Sequence, residues 1–356
     1  MAVVEFGELI DPRPGEEVDL ARLEPYLRAH LPNAAGPFAL RQFSSGHANL
    51  TYLARFGTQE YVVRRPPLGP VAPSSHDMKR EHQVLARLTD TYPLAPRSYH
   101  YCGDPSIMGA EFHVMERRTG ISIRGDLPER LRGDAVAARR LSETIVDALA
   151  ALHRVKPEDA GLGSLGKPEG YAARQVEGWA RRWHAAKDRD LPRVDELIAW
   201  LTARVPAPQA ATLVHNDFKS DNMLFDPDDL GRARAVLDWD MCTRGDPLTD
   251  LGGLFNYWVE AADDPKWGIN LAMPTWREGS LTRAQAAERY AKATGFALDD
   301  LAWYHVFGTF KFLVIIQQIY IRYLRGQTTD ERFAGFGERV AAMVEKGHVL
   351  SQEGGT

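Results

Sequence analysis

The sequence has little cysteine, no long hydrophobic run and no basic excess, and each shortage excludes a class of protein. The two cysteines, Cys102 and Cys242, cannot build a disulfide framework or a four-ligand zinc site, so we expect a reducing, cytoplasmic location. The most apolar stretch, residues 312–316, is too short to span a bilayer, and the N-terminus lacks the basic region of a signal peptide. A formal net charge of −5 disfavours nucleic-acid binding, because phosphate backbones attract basic surfaces.

The hydrophobic pattern changes from strand-like to helix-like along the chain. A short helix is predicted at residues 20–30. Alternating runs at 51–56 and 60–65, separated by a glycine-containing turn, predict a β-hairpin, and residues 111–116 predict a further strand. Helical spacing predicts helices at 76–88, 135–155, 171–187, 195–205, 285–294 and 302–325, with a β-type stretch at 213–240. A β-rich first third followed by a helical remainder predicts an α+β protein with two lobes.

The densest cluster of polar residues beside apolar runs lies in this β-type stretch. It contains His215-x-Asp217-x-x-x-x-Asn222, and a second apolar run ends at Asp238. Phosphoryl transfer requires a carboxylate near the acceptor hydroxyl, and amide or carboxylate oxygens for the metal ions that bridge the phosphates. Loops between short strands can bring these side chains together. Asn222 and Asp238 could alternatively be loop-forming residues without a catalytic role.

These segments resemble a known family. Residues 215–222 (HNDFKSDN) and 237–240 (LDWD) are similar to the catalytic loop and metal-binding segment of the aminoglycoside phosphotransferase and choline kinase superfamily, which is related to protein kinases. The resemblance implies a bilobal protein-kinase-like fold, with a small β-rich lobe and a larger, mostly helical one. It also implies roles for six residues: Asp217 as catalytic base, Lys219 as a γ-phosphate contact, Asn222 and Asp238 as magnesium ligands, and His215 and Asp250 as structural residues that brace the catalytic loop.

The resemblance also predicts where the nucleotide binds. Residues 44–49 (SSGHAN) contain a single glycine and form no Walker loop, so from the residues alone they could be an ordinary turn. By the resemblance, Ser45, Gly46 and His47 take the place of the phosphate-covering loop. Arg64 occupies the position of the strand lysine that contacts phosphates, with Glu81 as its helix partner. The alternative is an ion pair that contributes little.

Residues 114–118 resemble the segment between the lobes whose backbone binds adenine, which adds Glu116 and Arg118 to the nucleotide site. We therefore expect an N-terminal extension at residues 1–34, a nucleotide-binding lobe at 35–118, and a catalytic and acceptor-binding lobe at 119–356. The expected cofactors are ATP, with GTP as an alternative, and Mg²⁺.

The acceptor is expected to lie against the helical lobe. Lys311, Gln318 and Arg322 fall at i, i+7 and i+11 of the helix predicted at 302–325, so they share one face. The polar groups of these side chains either line a cleft or form internal salt bridges. A basic cleft suits an anionic acceptor and suits a polycationic aminoglycoside badly.

Residues 44–52 (SSGHANLTY) and the run at 310–328 (FKF…QQIYxRY…GQT) resemble the superfamily branch associated with acyl-CoA dehydrogenases. This implies a hydroxy-acyl-CoA or hydroxy acid as the small-molecule acceptor. The alternatives are a kinase for an aminoglycoside, amino-alcohol or sugar, and a nucleotide-binding pseudokinase module. No nucleic acid or membrane partner is expected.

Overall fold

The first part of the chain forms one antiparallel sheet. The structure is a computed structural model that describes residues 9–44, 49–67, 77–267, 273–328 and 330–353. Six strands make up the sheet: Leu9–Ile10 (β1), Phe38–Phe43 (β2), Leu50–Phe56 (β3), Gln59–Arg65 (β4), Ser98–Cys102 (β5) and Phe112–Glu116 (β6). Their spatial order is β1-β2-β3-β4-β6-β5, with every neighbouring pair antiparallel.

The two faces of this sheet are covered by different helices. Successive side chains of β4 point to opposite faces, as in any strand. Tyr61 and Val63 share a buried cluster with the apolar side of the helix Leu20–His30 (α1). Val62 faces the other way and packs in the cluster that contains the apolar side of the helix Met78–Leu88 (α2). Arg64 lies on this second face too, because it follows Val62 by two positions.

The rest of the chain is mostly helical. A short helix beside the sheet, Pro105–Met108 (α3), comes first. In the described residues it is followed by Ala135–His153 (α4), Tyr171–Ala186 (α5), Pro192–Ala203 (α6), Leu248–Tyr257 (α7), Arg283–Thr294 (α8), Leu301–Leu324 (α9) and Phe336–Glu353 (α10). None of the helices in the described part of the chain is long and apolar enough to cross a bilayer.

Two small sheets lie between α6 and α7. Thr212–Val214 (β7) pairs with Thr243–Gly245 (β10), and Met223–Phe225 (β8) pairs with Ala233–Val236 (β9). A single turn of 3-10 helix, Ser220–Asn222, leads directly into β8. These short strands fix the two ends of the loop that contains the HNDFKSDN segment.

Helices α7 and α9 approach each other closely at two glycines. A Cβ atom at Gly252 would lie 2.1 Å from the carbonyl oxygen of Tyr304, and one at Gly308 would lie 2.4 Å from that of Gly252. Any larger residue at either position would therefore force the helices apart. The backbones cross at this point, which determines the shape of the space beside it.

The α+β class and the predicted elements are confirmed, with shifts of a few residues at their ends. The helix at 20–30 and the hairpin turn at Gly57 lie where the sequence places them. The prediction missed the longer elements β2, β5, α7 and α10, and the short elements β1, α3 and β10. Helix α7 has two adjacent glycines, which lower its intrinsic helix propensity, and packing against α9 compensates for this.

Candidate active site

Two cavities meet at one pair of residues, Asp217 and Lys219, which line both of them. The large cavity, about 470 Å³, lies between the sheet and the helical part of the chain. The small cavity, about 210 Å³, lies between the facing sides of α7 and α9. Asp217 and Lys219 therefore belong to the walls of both cavities.

A buried carboxylate anchors the loop that carries Asp217. Asp250, at the start of α7, accepts hydrogen bonds from the backbone N–H groups of His215 at 2.6 Å and Asn216 at 2.7 Å. His153 Nε2 lies 3.3 Å from the same carboxylate. Burial alone would raise the pKa of Asp250, but the bond from His153 and the other donors outweigh it and lower the pKa. Asp250 is therefore a charged brace for this loop.

The loop turns sharply at Asn216. Its φ of +69° lies in the left-handed region, which asparagine tolerates better than most residues. The side chain is held on both sides, since Tyr171 donates to its Oδ1 at 2.8 Å and its Nδ2 donates to the carbonyl of Met241 at 3.0 Å. This turn points the next residue, Asp217, toward the junction of the two cavities.

The Asp217 carboxylate is bound by two side chains of its own loop. Lys219 Nζ lies 2.8 Å from Oδ1 and 2.7 Å from Oδ2, and Asn222 Nδ2 donates to Oδ2 at 2.9 Å. Burial lowers the pKa of Lys219, but the charge of Asp217 outweighs burial and raises it, so the lysine is charged. The amide nitrogen of Asn222 is used here, so its oxygen is the atom left for a cation.

His215 ties this loop to the segment that carries Asp238. Its Nε2 lies 2.9 Å from the carbonyl oxygen of Leu237, and its ring lies 4.8 Å from that of Trp239. His215 is completely buried. It therefore positions Asp238 relative to Asp217 without facing either cavity.

A charged network crosses the large cavity from the sheet to this segment. Arg64, on β4, donates to Glu81 of α2 at 2.5 Å and also to Asp238. His113, the cross-strand neighbour of Arg64, lies 3.1 Å from the other oxygen of Glu81. Burial would raise the pKa values of Glu81 and Asp238, but the guanidinium charge outweighs it and lowers both. The sequence-based pairing of Arg64 with Glu81 is thus present in the structure.

A further carboxylate, which was not predicted as a site residue, lies in the same segment as Asp238. Asp240 is buried close to Asp238, and burial together with that neighbouring charge raises the pKa of Asp240 to about 7. The ring of Tyr257, on α7, lies under Lys219 Nζ at 5.2 Å and was also missed. Packing against α9, together with the bonds of Asp250 to the catalytic loop, places α7 here.

The remaining nucleotide-site candidates have different placements. Glu116 and Arg118 both line the large cavity, and their side chains approach within 2.9 Å of each other. Ser45, Gly46 and His47 lie outside the described residues.

The three acceptor-site candidates on α9 separate from one another. Lys311 lies in the wall of the small cavity and donates to the carbonyl of Asn216 at 2.6 Å. Burial lowers its pKa. Gln318 and Arg322 are about 10 and 16 Å further along the helix axis, outside the wall of either cavity, and Arg322 is exposed.

Comparisons with known proteins agree with this geometry. Residues 39–304 match the model of the phosphotransferase enzyme family. The chain is 33% identical over 347 residues to acyl-CoA dehydrogenase family member 11 of Gallus gallus, covering 94% of this chain and 44% of that protein. The chain thus spans less than half of the length of this curated relative.

Solved structures show the same architecture. A protein from Ralstonia eutropha, provisionally described as an aminoglycoside phosphotransferase, superposes with a TM-score of 0.81 at 28% identity, covering 95% of this chain and 99% of that one. A thermostable mutant of aminoglycoside phosphotransferase APH(4)-Ia, in ternary complex with AMP-PNP and hygromycin B, shares the fold with a TM-score of 0.58 at 18% identity, covering 91% and 98%. The chain therefore belongs to the phosphotransferase enzyme family and has its bilobal kinase-like fold.

Proposed function

We propose that the protein transfers the γ-phosphoryl group of ATP to a hydroxyl of a small hydroxy acid or hydroxy-acyl-CoA, with Asp217 as the catalytic base. The observation that carries this proposal is the position of Asp217 where the two cavities meet. The large cavity holds the nucleotide and the small one presents the acceptor hydroxyl. Residues 35–118 then form the nucleotide-binding lobe, residues 119–356 form the catalytic lobe, and residues 1–34 are an extension.

Asp217 acts on the hydroxyl through position and charge. Its carboxylate accepts the hydroxyl hydrogen bond, orients the oxygen toward the phosphorus, and takes the proton as the new bond forms. Lys219 neutralises this carboxylate in the resting protein and lies beside it in both cavities. Its ammonium group is therefore placed to stabilise the negative charge that develops on the transferred phosphoryl group.

Asn222 and Asp238 fit a magnesium site. Both line the large cavity, and both offer an oxygen, which is the ligand type that Mg²⁺ takes from proteins alongside phosphate oxygens. When bound, the ion would neutralise phosphate charge. On the protein side, Arg64 is positioned by Glu81 to meet the phosphates, and Glu116 and Arg118 lie at the edge of the same cavity.

The charges of the small cavity favour a hydroxy acid over an aminoglycoside as the acceptor. Its two carboxylates are those of Asp217, which is paired with Lys219, and Asp250, whose oxygens accept from the backbone. Lys311 adds positive charge to the wall. A polycationic ligand would find both of these carboxylates already paired, whereas an anionic ligand faces the ammonium group of Lys311.

An acceptor screen tests the proposal. The protein is incubated with ATP and Mg²⁺ together with hydroxy acids, their CoA thioesters, choline, a sugar and an aminoglycoside, and phosphorylated product is measured by mass spectrometry. We expect product with hydroxy acids or hydroxy-acyl-CoAs. Product with the aminoglycoside alone would show that the acceptor class is wrong. ATP binding without product from any acceptor would favour a pseudokinase.

A further inference from the structure

We infer that Asn256, held by Lys346, determines acceptor specificity by donating a hydrogen bond to a carbonyl or carboxylate oxygen of the substrate. Asn256 lies on α7, in the wall of the small cavity, and is 7% exposed. Its Nδ2 has no hydrogen-bond partner among the residues that the structure describes. A buried N–H donor without a partner carries a desolvation cost that a ligand oxygen would remove. The inference rests on the proposed acceptor site.

Lys346 sets the orientation of the Asn256 amide. Lys346, on α10, is 4% exposed, and its Nζ donates to Asn256 Oδ1 at 3.5 Å. An ammonium group has donors only, so it must face the amide oxygen and leave the amide nitrogen on the other side. Burial and the charge of Arg283 lower the pKa of Lys346, while Asp263 acts in the opposite direction. Lys346 is thus a positioning residue that acts through Asn256.

The other polar groups of the small cavity support this ligand chemistry. Two of its acceptor groups are already used: Asp250 accepts from two backbone N–H groups, and the carbonyl of Asn216 accepts from Lys311. Its donors are in surplus, since Lys311 has three hydrogens and one described bond. A fitting ligand therefore brings a hydroxyl for Asp217 and an oxygen acceptor for Asn256.

The rest of the wall limits the body of the ligand. Apolar side chains line it on both helices and on the catalytic loop: Phe218, Met241, Tyr257, Phe312 and Ile315. A space of about 210 Å³ is below the range of drug-sized sites, so it suits a chain of a few carbons. The acyl oxygen can belong to a free acid or to a thioester whose larger part lies outside.

Isothermal titration separates these possibilities without turnover. The 356-residue chain carries Asp217→Asn, and the probes are 3-hydroxyhexanoate, its CoA thioester and 3-hexanol. Adding Asn256→Asp keeps the side-chain shape and the bond from Lys346 but removes the donor. We expect the affinity for the acid, the thioester or both to fall roughly tenfold to hundredfold, with 3-hexanol changing less than twofold. Whichever acyl probe loses affinity identifies the form bound. Asn33→Asp, an exposed change of the same charge, should alter none of them.

Lys346→Met gives an independent readout. Because it removes a buried ammonium group, we expect the melting temperature to stay level or rise, while acyl-probe affinity falls severalfold as the amide loses its orientation. Lys292→Met on the exposed side of α8 is the control. Unchanged acyl affinity in Asn256→Asp, an equal loss for 3-hexanol, or no binding of any acyl probe by the parent would overturn the inference. Binding that depends on Asn256 in a protein that never forms product would instead overturn the proposed function alone.

Discussion

The large and small cavities share Asp217 and Lys219 but differ in how their walls are made. In the large cavity, charged side chains from β4, α2 and the segment after β9 pair with one another, as Arg64 does with Glu81 and Asp238. In the small cavity, two helices supply an apolar wall, and Asp250 and Lys311 are bonded to backbone groups. Charge thus shapes the first cavity, while the close approach of two backbones shapes the second.

The largest expected effect comes from the residue that the cavities share. Asp217→Asn keeps the size of the side chain but cannot take a proton, so we expect kcat to fall by about 10²–10⁴. ATP and acceptor affinities should change only a few-fold, because neither cavity is altered in shape. Steady-state kinetics and equilibrium titrations measure the two quantities, with the exposed Asp299→Asn as control. A wild-type rate would contradict the assigned role.

The next effect should be confined to the large cavity. Arg64→Met leaves Glu81 buried without its charged partner, so the free energy of unfolding should fall by about 3–5 kcal/mol. The KM for ATP should rise, while acceptor affinity stays constant. Arg64→Lys should lie between, since an ammonium group is a point charge and cannot bridge two carboxylates as a planar fork does. Denaturant titration checks stability, and Arg55→Met on the exposed face of β3 is the control. If Arg64→Met lowered acceptor affinity as much as ATP affinity, the two cavities would not act as separate binding sites.

The third expected effect is a pH dependence of stability. It comes from Lys346, which contacts the wall of the small cavity and not that of the large one. The pKa of Lys346 is lowered to about 8, below its ordinary value of 10.5. Between these values the unfolded chain binds the proton and the folded chain does not, so the free energy of unfolding should rise with pH across that window. The rise should be at most about 3 kcal/mol. The difference between wild type and Lys346→Met, from denaturant titrations at pH 7.5 and 10.5, isolates this contribution. A parallel pH dependence in both proteins would contradict it.

The smallest expected effect is that of Gly253→Ala, which is compared with the same change at Gly308, a second glycine of the small cavity. A Cβ atom at Gly253 would meet nothing within 4 Å, whereas one at Gly308 would strike the backbone of Gly252. Gly253→Ala should stabilise the protein by up to about 1 kcal/mol and raise the KM for the acceptor, with ATP unaffected. Gly308→Ala should instead destabilise by about 1–3 kcal/mol or more. Melting temperatures and both KM values distinguish these outcomes. Equal melting temperatures for the two variants would refute the proposed helix crossing.

The same difference explains what could be predicted from the sequence. The large cavity depends on side chains in short, recognisable segments, so the family resemblance was enough to pair Arg64 with Glu81 and to group Asp238 with Asp217 and Asn222. The contact between Arg64 and Asp238 was not predicted. The small cavity depends on where α7 meets α9. A helix with two adjacent glycines carries no strong helical signal, so α7 was missed, and with it Asn256 and Tyr257. Lys311 was found because it lies in a predicted helix, but spacing along one face could not tell how far the cavity extends toward Gln318 and Arg322.

The ion pair between Arg64 and Asp238 also affects how strongly nucleotide and cation bind in each other's presence. A guanidinium group at Asp238 competes there with any cation, and a phosphate that draws Arg64 away removes the competitor. Nucleotide would then raise cation affinity by a certain factor, and the cation must raise nucleotide affinity by the same factor. The resting protein would therefore discriminate against either one alone and favour the two together.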